Sequence, residues 1–304
     1  MDFYGFTLLL RWILGWFIQP KLARLPEETS HTKLSVIIPA RNEEKSLPNL
    51  LDSLSKSELK PDEIIVVDDH STDKTYEIAT KFNTKVITSK ELPQGWTGKS
   101  FALMQGASIA KNEKLVFLDA DTKLDKSALG KLNKAYEKHQ GLISVQPFHK
   151  MTYTYERFAS VFNLIGSIGA RLGEKNGLVF GPVMMLAKSD LEHIGGFERV
   201  KDQLLEDRAL GFEFQKHNLS VNTFIGAKDI SFQMYPDGWK SLTQGFTKNM
   251  AAGSAGISKS RWLLLFTWFS GLVAAAWELP FAFLAWPFTN QAPSLYQYVL
   301  TIGF

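Results

Sequence analysis

The chain has 304 residues, 45% of them apolar and 21% charged, with a formal net charge of +3. That length suits about two domains; the composition excludes a disordered or collagen-like chain, and the charge is too mild for the concentrated basic face of a nucleic-acid binder. The chain contains no cysteine, which excludes disulfides, thiolate catalysis and iron–sulfur or zinc-thiolate sites and leaves oxygen and histidine as the available metal ligands.

The first predicted element is an apolar stretch over 4–18, whose one charge is Arg11. At about 15 residues it falls short of the roughly 20 that cross a bilayer. A retained anchor with Arg11 snorkelling, a helix lying in the interface and a cleaved signal are all compatible with it. Lys21 and Arg24 follow the stretch and no basic region precedes it, which disfavours the signal.

Residues 34–39 form a β-branched run ended by Pro39 and predict a buried strand. Leu47, Leu50, Leu51 and Leu54 predict a helix over 42–54. Residues 63–69 predict a second buried strand, and Ser71, Thr72 and Asp73 can cap a helix through Ala79. A short strand at Val86 and Ile87, a helix over 98–109, a strand over 114–119 and a helix near 126–138 follow. Strands alternating with helices imply a mostly parallel sheet with right-handed crossovers. The ligand crevice of such a sheet lies off the carboxyl ends of its strands, and two of these strands end in aspartates.

A second apolar stretch runs over 262–288, entered through Arg261 and Trp262 as an interface anchor would be. Glu278 and Pro280 interrupt it, so a single tilted helix and a helix broken near Pro280 both remain open. Its length argues against a buried core helix. After Pro293 the chain turns apolar again, as a further membrane helix would begin. Lys21, Arg24, Lys248, Lys259 and Arg261 flank the intervening polar block, which places it on the cytoplasmic side of the cell membrane.

Three acidic groups carry candidate chemistry. Asp68-Asp69-His70-Ser71-Thr72-Asp73 follows a strand, although an acidic cap would read the same way. Asp119-Ala120-Asp121 follows the apolar run at Val116-Phe117-Leu118. Residues two apart on an extended chain point the same way, so both carboxylates can face one point. Such oxygen ligands suit a hard divalent cation that keeps waters and takes substrate phosphate oxygens. Glu206-Asp207 follows the Gly195-Gly196 turn and opens a helix through Leu210 and Phe214. It reads as a general base or as charge complementing the helix dipole.

The ordered set Val36-Ile37-Ile38-Pro39-Ala40-Arg41-Asn42-Glu43-Glu44, Val67 to Asp73, Asp119-Ala120-Asp121, Gly195-Gly196-Phe197 and Glu206-Asp207 resembles family 2 glycosyltransferases. It covers roughly residues 34–255. Residues 144–149, 180–183 and 234–248 resemble the bacterial carotenoid-acid subgroup, of the 4,4'-diaponeurosporenoate type. His70 departs from the usual glycine after the paired aspartates, which changes turn geometry and removes no ligand. The resemblance implies an α/β GT-A fold, Rossmann-like, with flanking helices and terminal membrane helices. It implies an anchor at 1–24, a catalytic domain at 25–255 with an interfacial C-terminal part, and membrane segments at 256–304. Relatives of this type carry more membrane sequence at the carboxyl end.

By the same resemblance Pro39, Ala40, Arg41 and Glu43 form the nucleotide-facing loop, and Asp69 binds uracil. Asp119, with Ala120, contacts the ribose side, and Asp121 ligates Mg2+ or Mn2+ on the diphosphate. Lys99 approaches the donor. Gln244 and Lys248 stand where membrane-bound relatives have Q-x-x-R-W, a partial match. Asp207, beside Glu206, is the catalytic base. The expected activity is inverting transfer of a hexose, glucose first, from a UDP-sugar to a lipid at the bilayer. The expected acceptor is a carotenoid carboxylic acid; a ceramide- or diacylglycerol-like hydroxyl is the alternative. Phe158, Phe162, Leu164 and Ile165 could floor its channel or belong to an amphipathic core helix. A nucleotidyltransferase is disfavoured by the lack of glycine after the first strand. An inactive GT-A scaffold is disfavoured by the presence of Asp121 and Asp207.

Overall fold

A computed structural model describes residues 22–156, 179–233 and 258–289, with single positions between 6 and 17 and between 238 and 247. The chain divides into two compact units, Leu22–Ser160 with Asn176–Ala252, and Met1–Lys21 with Val161–Lys175 and Gly253–Phe304.

The larger unit is built on an eight-stranded sheet. Its strands are β1 (Ala23–Arg24), β2 (Ser35–Ala40), β3 (Glu63–Asp68), β4 (Lys85–Thr88), β5 (Lys114–Leu118), β7 (Leu142–Gln146), β9 (Val183–Ala187) and β10 (Val221–Ile225). Their spatial order is β1-β10-β7-β9-β5-β2-β3-β4. Every pairing is parallel except those of β9, which runs antiparallel between β5 and β7. The parallel character follows the sequence. The reversed strand β9 has no alternation or turn signal to announce it, because all five of its residues are buried.

Successive residues of β2 face opposite sides of this sheet. Val36 and Ile38 join one core with Leu47, Leu50, Leu51 and Leu54 of α1 (Leu47–Ser55) and with Leu129 and Leu132 of α4 (Ala128–His139). Ile37 faces the other core, with Ala102 and Leu103 of α3 (Gly98–Ile109) and Leu210 and Phe214 of α6 (Glu206–Lys216). The sheet is therefore covered on both faces, which explains why its central strands read as unbroken apolar runs.

Two expected helix starts move. The helix expected from residue 42 begins at Leu47, because Asn42 takes a left-handed backbone (φ 57°) and residues 43–46 form a turn. The helix expected to be capped by Ser71, Thr72 or Asp73 is α2 (Thr75–Lys81), and Lys74 holds its cap position without a side-chain cap bond. Asp73 accepts from the Thr75 backbone N–H (2.9 Å) and hydroxyl (2.5 Å), so it still serves this end.

A three-stranded sheet stands beside the carboxyl ends. It contains β6 (Thr122–Leu124), β11 (Ile230–Phe232) and β8 (Phe148–His149), in the order β6-β11-β8. The loop that leads into β11 is fixed by Lys131, whose buried ammonium pairs with Glu27 (2.6 Å) and with Asp229 (3.1 Å). A short helix α5 (Lys188–His193) follows β9.

In the smaller unit, α7 (Lys259–Thr289) is one continuous helix, so Pro280 does not break it. Arg11 lies against Gly271 and reaches Ser270. Leu263, Phe266, Trp277 and Leu284 are exposed along α7, while Leu265 and Trp268 are buried. Among the described residues, no helix is long and apolar enough to cross a membrane. Phe158, Phe162, Leu164 and Ile165 lie outside the described residues.

Removing Lys131 would strand the buried Asp229 carboxylate. Lys131→Met is expected to lower stability by about 2–4 kcal/mol, and adding Asp229→Asn to recover part of that loss. Urea titrations of both variants measure the difference.

Candidate active site

The site forms where β2, β3 and β5 end together. The first loop after β2 is stitched to the loop after β3 by reciprocal hydrogen bonds. The Asn42 N–H donates to Ser71 Oγ (3.0 Å), that of Glu43 to Thr75 Oγ1 (2.7 Å) and that of Glu44 to Asp73 Oδ2 (3.1 Å). In return, the Thr72 N–H donates to Asn42 Oδ1 (2.8 Å). Burial pushes the Asp73 carboxyl up, but the hydrogen bonds from Thr75 and Glu44 hold it below the ordinary carboxylate range. His70 takes a left-handed backbone (φ 54°). This is the conformation that the expected glycine would adopt without strain.

Pro39 and Ala40 close β2 beside Val67 and Asp68, and the Ala40 carbonyl accepts from the Asp69 N–H (2.8 Å). Arg41 lies 3.3 Å from Asp69 Oδ2. The Asp69 carboxylate also presses on the first residue of α3. A Cβ at Gly98 would stand 2.5 Å from Asp69 Oδ2, so a larger residue there would displace that carboxylate.

Asp119 and Asp121 sit on a tight turn, not on an extended chain as expected. Thr122 donates to the Asp119 carbonyl through both its N–H (3.1 Å) and its hydroxyl (2.8 Å), and this closes the turn between β5 and β6. The two carboxylates therefore have different surroundings. Asp119 pairs with the Lys99 ammonium at 2.8 Å. Asp121 Oδ1 is buried and has no hydrogen-bond partner among the described residues. Burial, then repulsion from Asp119 and Glu43, push the Asp121 carboxyl up to about 8 against the opposing pull of Lys99.

Lys99 also reaches Glu206 Oε1 at 3.1 Å. It thereby ties the β5 end to the start of α6. Burial alone would lower the Lys99 pKa, but Asp119 and Glu206 raise it well above the ordinary value, so it stays charged. Asp207 is held by two backbone N–H groups, from Gly181 (2.6 Å) and Arg208 (2.8 Å). Burial and Glu206 nevertheless push Asp207 up to about 6.

The segment just before β9 supplies contacts that the sequence reading did not assign. Gly181 donates to Asp207, while the Pro182 carbonyl accepts from the Asp119 N–H (2.9 Å). One dipeptide therefore positions both carboxylates. A Cβ on Gly181 would lie 3.0 Å from Asp207 Oδ2. The Gly-Pro pair was the available signal, but nothing in its spacing names its two partners.

Of the expected site residues, Glu43, Lys99, Asp119, Asp121, Glu206 and Asp207 interact with one another. Pro39, Ala40, Arg41 and Asp69 lie at the adjoining β2 and β3 ends, and Ala120 is buried within the turn. Gln244 is exposed and makes no hydrogen bond or ion pair to this cluster among the described residues. Lys248 lies outside the described residues. Among the described residues, no three His, Asp or Glu side chains converge as a complete metal ligand set. The arrangement offers one uncompensated carboxylate, one ammonium-bridged pair and one carboxylate held near neutrality.

Residues 35–195 match the family model described as glycosyl transferase family 2. The chain belongs to this family. The glycosyltransferase is 38% identical over 253 residues to the 4,4'-diaponeurosporenoate glycosyltransferase of Staphylococcus haemolyticus, covering 80% of this chain and 67% of that protein. It is 34% identical over 256 residues to the same-named protein of Staphylococcus aureus, covering 81% and 68%. These matches span about two thirds of the relatives' length, and they bear out the subgroup that the motifs suggested.

Among solved structures, the glycosyltransferase resembles the mannosyltransferase PcManGT of Pyrobaculum calidifontis, in complex with GDP-Man and Mn2+. That likeness has a TM-score of 0.58 at 19% identity and covers 99% of this chain and 92% of the other. It also resembles glucosyl-3-phosphoglycerate synthase of Mycobacterium tuberculosis, with a TM-score of 0.53 at 18% identity, covering 79% and 90%. At these identities the likeness establishes the α/β GT-A-like fold.

The raised Asp121 pKa has a consequence for stability. The folded chain holds a proton that the unfolded chain releases at the ordinary 3.8, so folding stability falls as pH rises from about 4 to about 8. Asp121→Asn is expected to remove that fall and to stabilise the metal-free chain at pH 8 by more than about 1 kcal/mol. Thermal melts in EDTA at pH 5 and pH 8 measure it.

Proposed function

We propose that this glycosyltransferase moves glucose from UDP-glucose to a lipid acceptor, a carotenoid carboxylic acid, by a single inverting displacement. The observation that carries the reading is the gathering of Asp119, Asp121, Glu206 and Asp207 around Lys99 at the strand ends. The acceptor class is supported by the relatives, the 4,4'-diaponeurosporenoate glycosyltransferases of Staphylococcus.

The donor set fits a divalent cation. Asp121 Oδ1 is a buried carboxylate oxygen without a partner, and a hard cation that keeps waters and takes phosphate oxygens needs few protein ligands. Asp121 would hold Mg2+ or Mn2+, which supplies charge neutralisation for a leaving diphosphate. The PcManGT complex, which contains Mn2+, agrees with that choice.

Displacement forms a bond from the acceptor oxygen to the sugar C1 as the bond from C1 to the diphosphate oxygen breaks and UDP departs. Lys99, held between Asp119 and Glu206, fixes the spacing of the donor side and the base side. A carboxylate acceptor is already ionised near pH 7, so it has no proton for Asp207 to take. A hydroxyl acceptor would give its proton to Asp207. The second reading, a ceramide- or diacylglycerol-like hydroxyl, draws on the Asp207 pKa near 6, which suits a general base.

Pro39, Ala40, Arg41, Glu43 and Asp69 lie where the nucleoside would bind. Glu43 is adjacent enough to Asp121 to repel it. We assign Gln244 and Lys248 to closure over the diphosphate on the partial Q-x-x-R-W likeness. The exposed Leu263, Phe266, Trp277 and Leu284 of α7, together with the basic flanks, support association with the cytoplasmic face of the cell membrane.

Membranes carrying the chain, incubated with labelled UDP-glucose and a carotenoid acid, should yield a glucosylated lipid that EDTA suppresses. Asp121→Ala should abolish it, and undiminished transfer by that variant would remove the metal assignment. Asp207→Asn should cut kcat by about 10²–10⁴ for a hydroxyl acceptor and by less than about tenfold for a carboxylate. With a hydroxyl acceptor, wild-type kcat should fall as pH drops through about 6, where Asp207 takes up its proton. Equal losses with both acceptors would count against a base role.

A further inference from the structure

Tyr153, Tyr155 and Trp239 form an aromatic ladder. The Tyr153 and Tyr155 rings are stacked, 5.7 Å apart and 8° from parallel, and the Trp239 ring follows at 6.3 Å from Tyr155. Tyr153 is 52% exposed and Trp239 53% exposed. These rings come from chain segments more than 80 residues apart, and the Gly238 N–H donates to the Tyr155 hydroxyl (3.0 Å), which clamps the segments together. The platform is thus built before any ligand arrives.

Hydrogen bonds connect it to the site. The Gln233 N–H donates to the Asp121 carbonyl (3.4 Å), and Gln233 Nε2 donates to Glu156 Oε1 (2.9 Å). Glu156 Oε2 in turn accepts from the N–H groups of Thr152 and Tyr153. The buried Glu156 therefore ties the start of the ladder to the turn that carries Asp121. Burial opposes its ionisation, but the bonds from Gln233, Tyr153 and Thr152 hold its pKa below the ordinary range, so the tie persists as a carboxylate.

We propose that Tyr153, Tyr155 and Trp239 form the subsite for the tail of a conjugated polyene acceptor whose carboxylate head reaches the Asp121 turn. This deepens the lipid-acceptor reading above and rests on it. The Tyr153 and Tyr155 rings are parallel and Trp239 is tilted 45° to Tyr155, so the three present a stepped aromatic surface; a flat, rigid chain can lie along it with dispersion contact and little conformational entropy to lose. A saturated acyl chain must freeze many torsions to do the same. The hydroxyl and indole ends suit a surface that is apolar under the ligand and wet at its rim.

The test uses the full chain in detergent micelles with UDP-glucose and Mn2+. The acceptors are all-trans-retinoate as a polyene acid, palmitate as a saturated acid and 2,4-hexadienoate as a head-only acid. Tyr153→Leu and Trp239→Leu together keep apolar bulk and remove the rings. They should raise KM for retinoate about tenfold, leave kcat, UDP binding and KM for 2,4-hexadienoate near wild type, and move KM for palmitate much less. Tyr153→Phe with Trp239→Phe should restore KM for retinoate.

An unchanged KM for retinoate overturns the proposal, as does an equal rise for palmitate. Loss of adhesion to phosphatidylglycerol vesicles with an unchanged KM overturns it too, and makes the rings bilayer anchors. If wild type transfers glucose to no acid, the function reading fails. The dissociation constant of labelled retinoate, wild type against the Leu pair, then still decides the platform.

Discussion

The site depends on one ammonium held between two carboxylates. Lys99 meets Asp119 at the end of β5 and Glu206 at the start of α6, and so joins two elements far apart in sequence. Its side chain is only partly exposed, so the pairing is stronger than a surface ion pair and costly to break from either side. Around it stand more carboxylates than it can neutralise. Asp121 and Asp207 carry the surplus, one pushed up to about 8 and the other to about 6. A cluster assembled for stability alone would have been balanced. This one is left short of positive charge.

Backbone groups do the finer positioning. The Gly181–Pro182 segment gives an N–H to Asp207 and takes one from Asp119, so the order of the sheet converts directly into the spacing of the two acids. This works because β9 enters antiparallel between β5 and β7. Its first residues therefore arrive at the carboxyl edge where the parallel strands end. The loops after β2 and β3 are stitched side chain to backbone in both directions. That makes this edge of the sheet a preformed surface.

The small sheet extends the same logic toward the aromatic ladder. β6 follows Asp121 by one residue, β11 pairs with it, and β8 completes it. Gln233 and Glu156 carry the connection from the Asp121 carbonyl to the aromatic ladder. The acidic cluster and the aromatic ladder thus share one mechanical origin at the Asp119–Asp121 turn. The Lys131 pairing with Asp229 holds the loop that feeds this sheet.

Much of this was legible in the chain alone. The apolar runs at 34–39, 63–69 and 114–119 declared buried parallel strands, because a strand covered on both faces has no polar side to show. The acidic residues at their ends declared the ligand edge, because side chains beyond a strand's last hydrogen bond are free to face a crevice. The order of the motifs declared the family. The sequence could not declare β9 as the reversed strand, since an all-buried strand carries no mark of direction. Nor could it show that Asp119 and Asp121 sit on a turn with unlike partners, or that Lys99 chooses Asp119 and Glu206. Local patterning records which residues leave water; the pairing of charges distant in sequence is set by how the packed sheet and helices bring their ends together.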